Sequence, residues 1–297
     1  MSPEKNTTKT LRAGVVGWPI AQSLSPTMHS YWISEHGLDA EYVPLGVAPE
    51  EFSTLIKSLP EKGYVGVNVT IPHKQAAHRL CSTLDVDARA AGAVNVLIFE
   101  NDKIHGRNTD VLGFCAALED ALGADAARTG PVVVLGAGGA ARAVILALAR
   151  SGAAEIRVLN RTRTRAEELT EALAQELGRE LGRELGGAEF KIFEWGDWQN
   201  ALAGAGLLVN TTSLGMVGKD TLDISLESLP QKACVVDIVY NPIETGLLAE
   251  AKARGHRTMD GLGMLMHQAV PAFEAWFGAT PAVTAELRRA LEQELNG

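Results

Sequence analysis

Residues 131–139 read PVVVLGAGG, an unbroken apolar run that stops at a glycine-rich turn and leads into alanine-rich sequence. A continuous apolar run of this length suits a strand buried on both faces, as in a parallel sheet. A glycine-rich turn between such a strand and a helix lets a phosphate approach bare backbone N–H groups at the positive helix end. Gly136, Ala137, Gly138, Gly139 and Ala140 form G-x-G-G-A, a variant of the dinucleotide fingerprint with Ala in the third small position. Alone, such a turn also serves simple close packing. The context adds weight, because a helix over 140–150 and a second strand over 155–160 complete a βαβ unit.

The end of the second strand separates the two nicotinamide cofactors. An acid there would bind the ribose 2′-hydroxyl and repel a 2′-phosphate. This chain has none; it offers Asn160, Arg161, Thr162, Arg163, Thr164 and Arg165. Arginine grips phosphate in bidentate fashion and stacks on aromatic rings. A solvated basic turn is the bland alternative, but positive charge at a helix start opposes the macrodipole. A 2′-phosphate would offset that cost, so the expected cofactor is NADP.

The rest of the chain alternates strand and helix patterns, which implies an α/β fold with mainly parallel sheets. Expected strands cover 13–17, 41–47 and 64–69, with helices from Ser25-Pro26, over 50–59 and from Pro72. Ser25 is read as an N-cap with proline in the first turn. Strands 93–99 and 103–106 bracket Glu100-Asn101-Asp102 as a hairpin. Later strands cover 190–193, 207–210 and 233–239, and a long helix starts near Thr164. Two C-terminal helices, 262–277 and 283–295, are expected to return onto the first domain. Residues 176–187 read ELGRELGRELGG; a surface extension of a helix is preferred over an interaction motif.

Length and charge bound the partners. A chain of 297 residues suggests two domains. Its formal charge of −9 argues against a nucleic-acid binder, which would carry a basic face. No apolar run reaches the roughly 18 residues of a membrane span. The polar start, MSPEKNTTKT, gives no sign of a signal peptide. Cys81, Cys115 and Cys234 are too few and scattered for a disulfide framework or a metal cluster. Buried thiols, no metal and a reducing cytoplasm are the expectations. Monomer and homodimer both remain open.

Polar residues gather at strand ends in the first half, where open α/β sheets bind ligands. Ser23 and Ser25 set two hydroxyls at a helix start, suited to a small carboxylate; taken alone, plain N-capping by Ser25 is the preferred explanation. Asn68 and Thr70 end one strand on one face. Pro72, His73 and Lys74 follow. Asn95 lies in an apolar strand, where an unpaired amide is expensive. Asn108, Thr109 and Asp110 end the next strand, and Gln268 interrupts an apolar helix. Each could be a satisfied structural residue; together they make a pocket suited to a polyhydroxylated carboxylate.

The ordered segments GWPIAQSLSPTMH, GYVGVNVTIPHK, AGAVNVL, GRNTD, GAGGAARA, NRTRTR, NTTSLGM, DIVYNP and DGLGMLMHQA closely resemble the shikimate dehydrogenase family. The resemblance runs from about residue 14 to about residue 278. It implies a substrate domain, 1–110, completed by helices in 261–297, and a Rossmann-type NADP domain, 111–260. It implies that Ser23 and Ser25 hold the substrate carboxylate, and that Asn68, Thr70, Asn95, Asp110 and Gln268 bind its hydroxyls. Lys74 and Asp110 would be the catalytic pair. Asn160, Arg161, Thr162 and Arg165 would hold the 2′-phosphate. Thr211, Ser213, Met216, Tyr240, Gly261 and Met264 would line the nicotinamide side. Val96 and Val111 stand where the family often shows Thr and Gly.

The reaction so implied is reversible reduction of 3-dehydroshikimate to shikimate by NADPH. Two rivals stand beside it: a quinate or aminoshikimate dehydrogenase of the same class, and a non-catalytic NADP-binding regulator. A regulator would not need both Lys74 and Asp110.

Overall fold

The structure is a computed structural model and describes residues 10–181 and 187–296. The reading of the polar N-terminus, and of the ELGR repeat over 182–186, lies outside the described residues. Upstream of 182, Leu177 is fully buried on its helix.

The first half builds a six-stranded sheet. In chain order it contains β1 (Leu11–Gly17), α1 (Ser25–Glu35), β2 (Ala40–Gly46), α2 (Phe52–Ser58), β3 (Gly66–Val69), α3 (Lys74–Leu80), β4 (Thr83–Leu84), α4 (Val86–Ala91), β5 (Val96–Glu100) and β6 (Lys103–Arg107). The strand order is β2-β1-β3-β5-β6-β4. β1 pairs in parallel with β2 and β3, and β4 with β6, while β5 runs antiparallel to β3 and β6. Asn101 and Asp102 form the two-residue β5–β6 turn at φ 51° and 59°, values that these two side chains tolerate.

The second half holds α5 (Asp110–Leu122), β7 (Val132–Leu135), α6 (Gly139–Arg150), β8 (Glu155–Leu159), α7 (Arg163–Leu181), β9 (Glu189–Phe193), α8 (Trp198–Leu202), β10 (Leu207–Asn210), β11 (Cys234–Asp237), α9 (Gly246–Ala253) and β12 (Arg257–Met259). All its strand pairs are parallel, in the order β12-β11-β10-β7-β8-β9. Counted from β7 this is the 3-2-1-4-5-6 order of doubly wound dinucleotide folds, with the switch point between β7 and β10. The apolar run behaves as its composition dictates: all four residues of β7 are buried.

Helices α10 (Gly261–Phe277) and α11 (Ala285–Asn296) return to the first sheet. Leu262, Met266, Phe273, Trp276, Leu287 and Leu291 share a core with Met28, Trp32 and Tyr42. The Trp276 indole donates to Leu97 O at 3.0 Å.

The two halves meet where α5 crosses α10. A Cβ at Gly113 would lie 2.7 Å from Gln268 N and 2.8 Å from its Cα, so only glycine permits this approach. That crossing carries Gln268 to the start of α5.

Several expectations need correction. Ser25 is the first helical residue of α1 rather than its N-cap, and it makes no side-chain cap bond; the preceding turn already brings Ser23 Oγ to the Ser25 N–H at 3.3 Å. The helix after Pro72 starts at Lys74, because His73 N first bonds back to Thr70 O. Asn95 precedes β5 instead of lying within it. Only Cys234 is fully buried; Cys81 and Cys115 are half-buried. Elements α4, α5, α8, α9, β4 and β12 carry no expectation from the sequence. Among the described residues no helix is long and apolar enough to cross a membrane, and no cluster of His, Cys, Asp or Glu could hold a metal.

Candidate active site

Lys74 opens α3 and is held from both sides. His73, directly before it, places Nε2 2.9 Å from Val47 O and stacks on Phe52. Lys74 O accepts from Val94 N at 3.0 Å. Its side chain is 14% exposed and leads to Asp110, whose side chain is 6% exposed. Lys74 Nζ donates to Asp110 Oδ2 at 2.5 Å.

Asp110 is the first residue of α5, where the helix dipole favours an anion. Asn108 Oδ1 accepts from Asp110 N at 3.1 Å, and Asn108 Nδ2 donates to Ala93 O at 2.9 Å. The second carboxylate oxygen, Oδ1, accepts from Asn95 Nδ2 at 2.9 Å. The same amide nitrogen lies 2.9 Å from Thr109 Oγ1 and 3.1 Å from Gln268 Oε1, while Asn95 Oδ1 accepts from Thr109 N at 2.8 Å. Asn68 Nδ2 joins the network through Asn95 O at 3.2 Å. A nearly dry ion pair contributes little to stability unless its other hydrogen-bonding positions are filled. Here the Asn95 amide fills one of them, on Asp110 Oδ1.

The structure therefore joins Lys74, Asn68, Asn95, Asp110 and Gln268 in one network. Thr70 begins the turn beside it, half-buried. Ser23 and Ser25 stand at the start of α1, Ser25 buried and Ser23 half-buried. The Tyr240 hydroxyl, from the second half, lies against Ser23 and the Leu24 backbone; burial holds its pKa above the ordinary tyrosine value.

The nucleotide side faces this network. Gly136 has φ +107°, and a Cβ there would sit 2.8 Å from Thr211 Oγ1, so the turn after β7 requires glycine. Thr211 donates to Leu135 O at 2.6 Å and ties β10 to β7 at the switch point. A Cβ on Gly138 would meet nothing within 4 Å, and the N-terminus of α6 has no side-chain cap. Ala137 and Ala140 flank this open turn without closing it. A phosphate fits such a cradle of free N–H groups. Across the cleft, a Cβ on Gly139 would lie 3.6 Å from Lys74 Cβ and Cδ.

Beyond β8, Asn160 Nδ2 donates to Thr162 O at 2.8 Å and shapes the turn. Arg163 is committed to Glu167 and Glu194 at 2.8 and 2.6 Å. Arg161 and Arg165 are exposed, with no acid partner among the described residues. Two unpaired guanidiniums at the end of the second strand fit a 2′-phosphate.

Ser213 and Met216 lie half-buried in the loop after β10. Gly261 sits where a Cβ would come within 2.1 Å of Ile238 O, and Met264 is buried beneath it in the second core.

Sequence reasoning missed the groups that support this loop. Asp237 accepts from Asn210 Nδ2 at 3.0 Å, from Thr245 Oγ1 at 2.7 Å and from Val239 N at 3.0 Å. Burial outweighs these donors and pushes its carboxyl up to about 6. A polar residue ending each of two adjacent buried strands was the available signal. A cavity of about 350 Å³ opens farther along the α5–α10 contact, lined by Asp120, His267, Asp260 and Arg288, and shares no residue with the Lys74 network.

Three family models match the chain. They are the shikimate dehydrogenase substrate binding domain over 15–97, shikimate / quinate 5-dehydrogenase over 121–245, and the shikimate 5′-dehydrogenase C-terminal domain over 261–292. A shikimate dehydrogenase (NADP(+)) of Methylobacterium radiotolerans is 50% identical, over 97% of this chain and 99% of its own. A shikimate dehydrogenase solved in complex with NADP+ superposes with a TM-score of 0.84 at 35% identity, covering 96% of each chain. A quinate dehydrogenase from Corynebacterium glutamicum, solved with NAD, gives 0.83 at 30% identity, covering 97% of this chain and 99% of its own.

Proposed function

This chain belongs to the shikimate dehydrogenase family, and on that premise we propose that Lys74 and Asp110 are the catalytic pair of an NADP-dependent shikimate dehydrogenase. The reaction is the reversible, NADP-linked reduction of 3-dehydroshikimate to shikimate, a step of aromatic amino-acid biosynthesis. The observation that carries the assignment is the 2.5 Å contact of Lys74 Nζ with Asp110 Oδ2, placed directly across from the glycine turn.

The cofactor supplies the hydride when bound. The protein orients the reactants and handles one proton. Negative charge develops on the substrate carbonyl oxygen during reduction. Lys74 Nζ stands where it can donate to that oxygen, stabilising the charge and delivering the proton. Asp110 Oδ2 aims the ammonium group, and Asn95 holds the other carboxylate oxygen so that the pair keeps one geometry. In the reverse direction the same pair takes up the proton, so it belongs to the dyad rather than to one residue.

Ser23 and Ser25 hold the substrate carboxylate at the start of α1. Asn68, Thr70, Asn95 and Gln268 meet its hydroxyls. Residues 136–140 form the pyrophosphate cradle, with the N–H groups of 137–140 as donors, since Gly136 N bonds Leu159 O at 2.8 Å; Asn160, Arg161, Thr162 and Arg165 bind the 2′-phosphate. Thr211, Ser213, Met216, Tyr240, Gly261 and Met264 form the nicotinamide side. Domain boundaries fall near 110 and 261, where α5 and α10 leave and re-enter the first unit. A reducing cytoplasm suits three free thiols.

A substrate panel of shikimate, quinate and aminoshikimate, each with NADP and NAD, tests the reading by cofactor absorbance. The expected leader is shikimate with NADP. A larger kcat/KM for quinate with NAD would move the chain toward its quinate-oxidising neighbour.

A further inference from the structure

Tyr42 has no role in the site as assigned above. It lies on β2, two strands from Asn68 on β3, yet its hydroxyl donates to Asn68 Oδ1 at 2.6 Å. The register explains the reach. Tyr42 pairs with Ala13 of β1, and Val15 of β1 pairs with Asn68. Residues two apart share a face, so all four side chains point to the same side of the sheet. Ala13 is small and leaves room for the phenol to pass over β1.

The phenol is held in place. His29, one turn beyond Ser25 on α1, stacks on the Tyr42 ring at 3.9 Å with the planes 1° apart. Trp32, Phe273 and Trp276 surround the imidazole. His29 is fully buried, neither ring nitrogen reaches hydrogen-bond geometry, and burial pushes its pKa down to about 3 against the opposing influence of the neighbouring Asn68 side chain. A neutral ring so placed contributes chiefly packing. Tyr42 is itself buried, with its pKa well above the ordinary value, so it stays a donor across the working range. The Ser25 hydroxyl lies against the same phenolic oxygen.

A side-chain amide has one accepting end and one donating end. Once Tyr42 engages Oδ1, the Nδ2 end of Asn68 is the one left for other partners. One of its N–H groups reaches Asn95 O at 3.2 Å, and the second makes no hydrogen bond among the described residues, which leaves it for a ligand. We propose that Tyr42 is a positioning residue whose buried hydroxyl fixes the Asn68 amide, so that Asn68 meets a substrate hydroxyl as a donor. The inference rests on the reading of Asn68 as a substrate ligand. The hydroxyl so bound must donate its own proton elsewhere in the network, which restricts which ring hydroxyls the site accepts.

Tyr42→Phe keeps the ring and its stack on His29 and removes only the hydroxyl. The test compares wild type, Tyr42→Phe, Asn68→Ala and the double variant, each saturated with NADP. Tyr42→Phe is expected to raise KM for shikimate about tenfold, the scale of one lost hydrogen bond, with kcat within about twofold and KM for NADP unchanged. In the Asn68→Ala background the same change should add nothing, because Tyr42 acts through Asn68. A shikimate KM within about twofold of wild type, or losses that multiply in the double variant, would overturn the inference while leaving Asn68 a ligand. An Asn68→Ala enzyme with normal shikimate KM would overturn the Asn68 assignment, and the inference with it.

Discussion

Gly139 and Lys74 face each other across the cleft so closely that a Cβ on the glycine would rest 3.6 Å from two carbons of the lysine. The glycine belongs to the nucleotide turn and the lysine to the first sheet's unit. Their approach sets the glycine turn after β7 directly beside the Lys74 side chain. A methyl group at 3.6 Å is an ordinary contact, so Gly139→Ala should keep at least about half of kcat. Gly139→Leu should drive into Lys74 and lower kcat by about tenfold or more, as core overpacking of one to three kcal/mol implies. Steady-state kinetics on both variants checks this; equal activities would mean the two sides stand farther apart in solution.

The second half was legible because its signals are local. The run PVVVL, the turn after it and the bare arginines each carry their meaning within about ten residues. The network around Asp110 was legible only as a set of polar residues at strand ends, since its bonds join positions as distant as Asn95 and Gln268. Helix α5 is hard to read because Gly113, a poor helix former, sits in its first turns, and that glycine has its reason in another helix. Tyr42 gave no signal at all, since an alternating strand hides which aromatic residue reaches a neighbour two strands away. Ser25 was misread as a cap because its sequence context fits one.

Arg161 and Arg165 should set cofactor choice. Charge-assisted hydrogen bonds are each worth about 1.5–3 kcal/mol. Replacing both with Ala is expected to raise KM for NADP by at least about a hundredfold and to leave KM for NAD nearly unchanged. Equal losses with both cofactors would show that these arginines do not read the 2′-phosphate.

Gly113 should tolerate no side chain. Gly113→Ala places a methyl group against the Gln268 backbone, which cannot yield without parting α5 from α10. The expected cost is about 1–3 kcal/mol of stability, with a lower kcat/KM for shikimate because Gln268 and Asp110 shift together. Thermal melts paired with kinetics test it. An unchanged midpoint would mean that the crossing is looser than the contact implies.

Asp237 should leave a signature in the pH dependence of stability. Its carboxyl moves from about 4 in the unfolded chain to about 6 in the folded one. Between these values the folded state binds the extra proton. The stabilisation is therefore complete below about pH 4 and is lost as pH rises through 6. Relative to Asp237→Asn, which does not titrate, wild type should lose about 3 kcal/mol across that window. Parallel melts from pH 4 to 7.5 measure the difference; curves that stay parallel would contradict the raised value.

The central claim is that the Lys74–Asp110 dyad handles the proton, with Lys74 presenting it to the substrate oxygen. The decisive measurement is turnover of Lys74→Ala with shikimate and NADP at neutral pH, alongside its affinity for NADP. The account predicts a fall in kcat of about 10²–10⁴, the usual scale for a positioned acid–base group, with NADP affinity almost unchanged. Near-normal turnover would remove Lys74 from the chemistry and leave Asp110 to act alone.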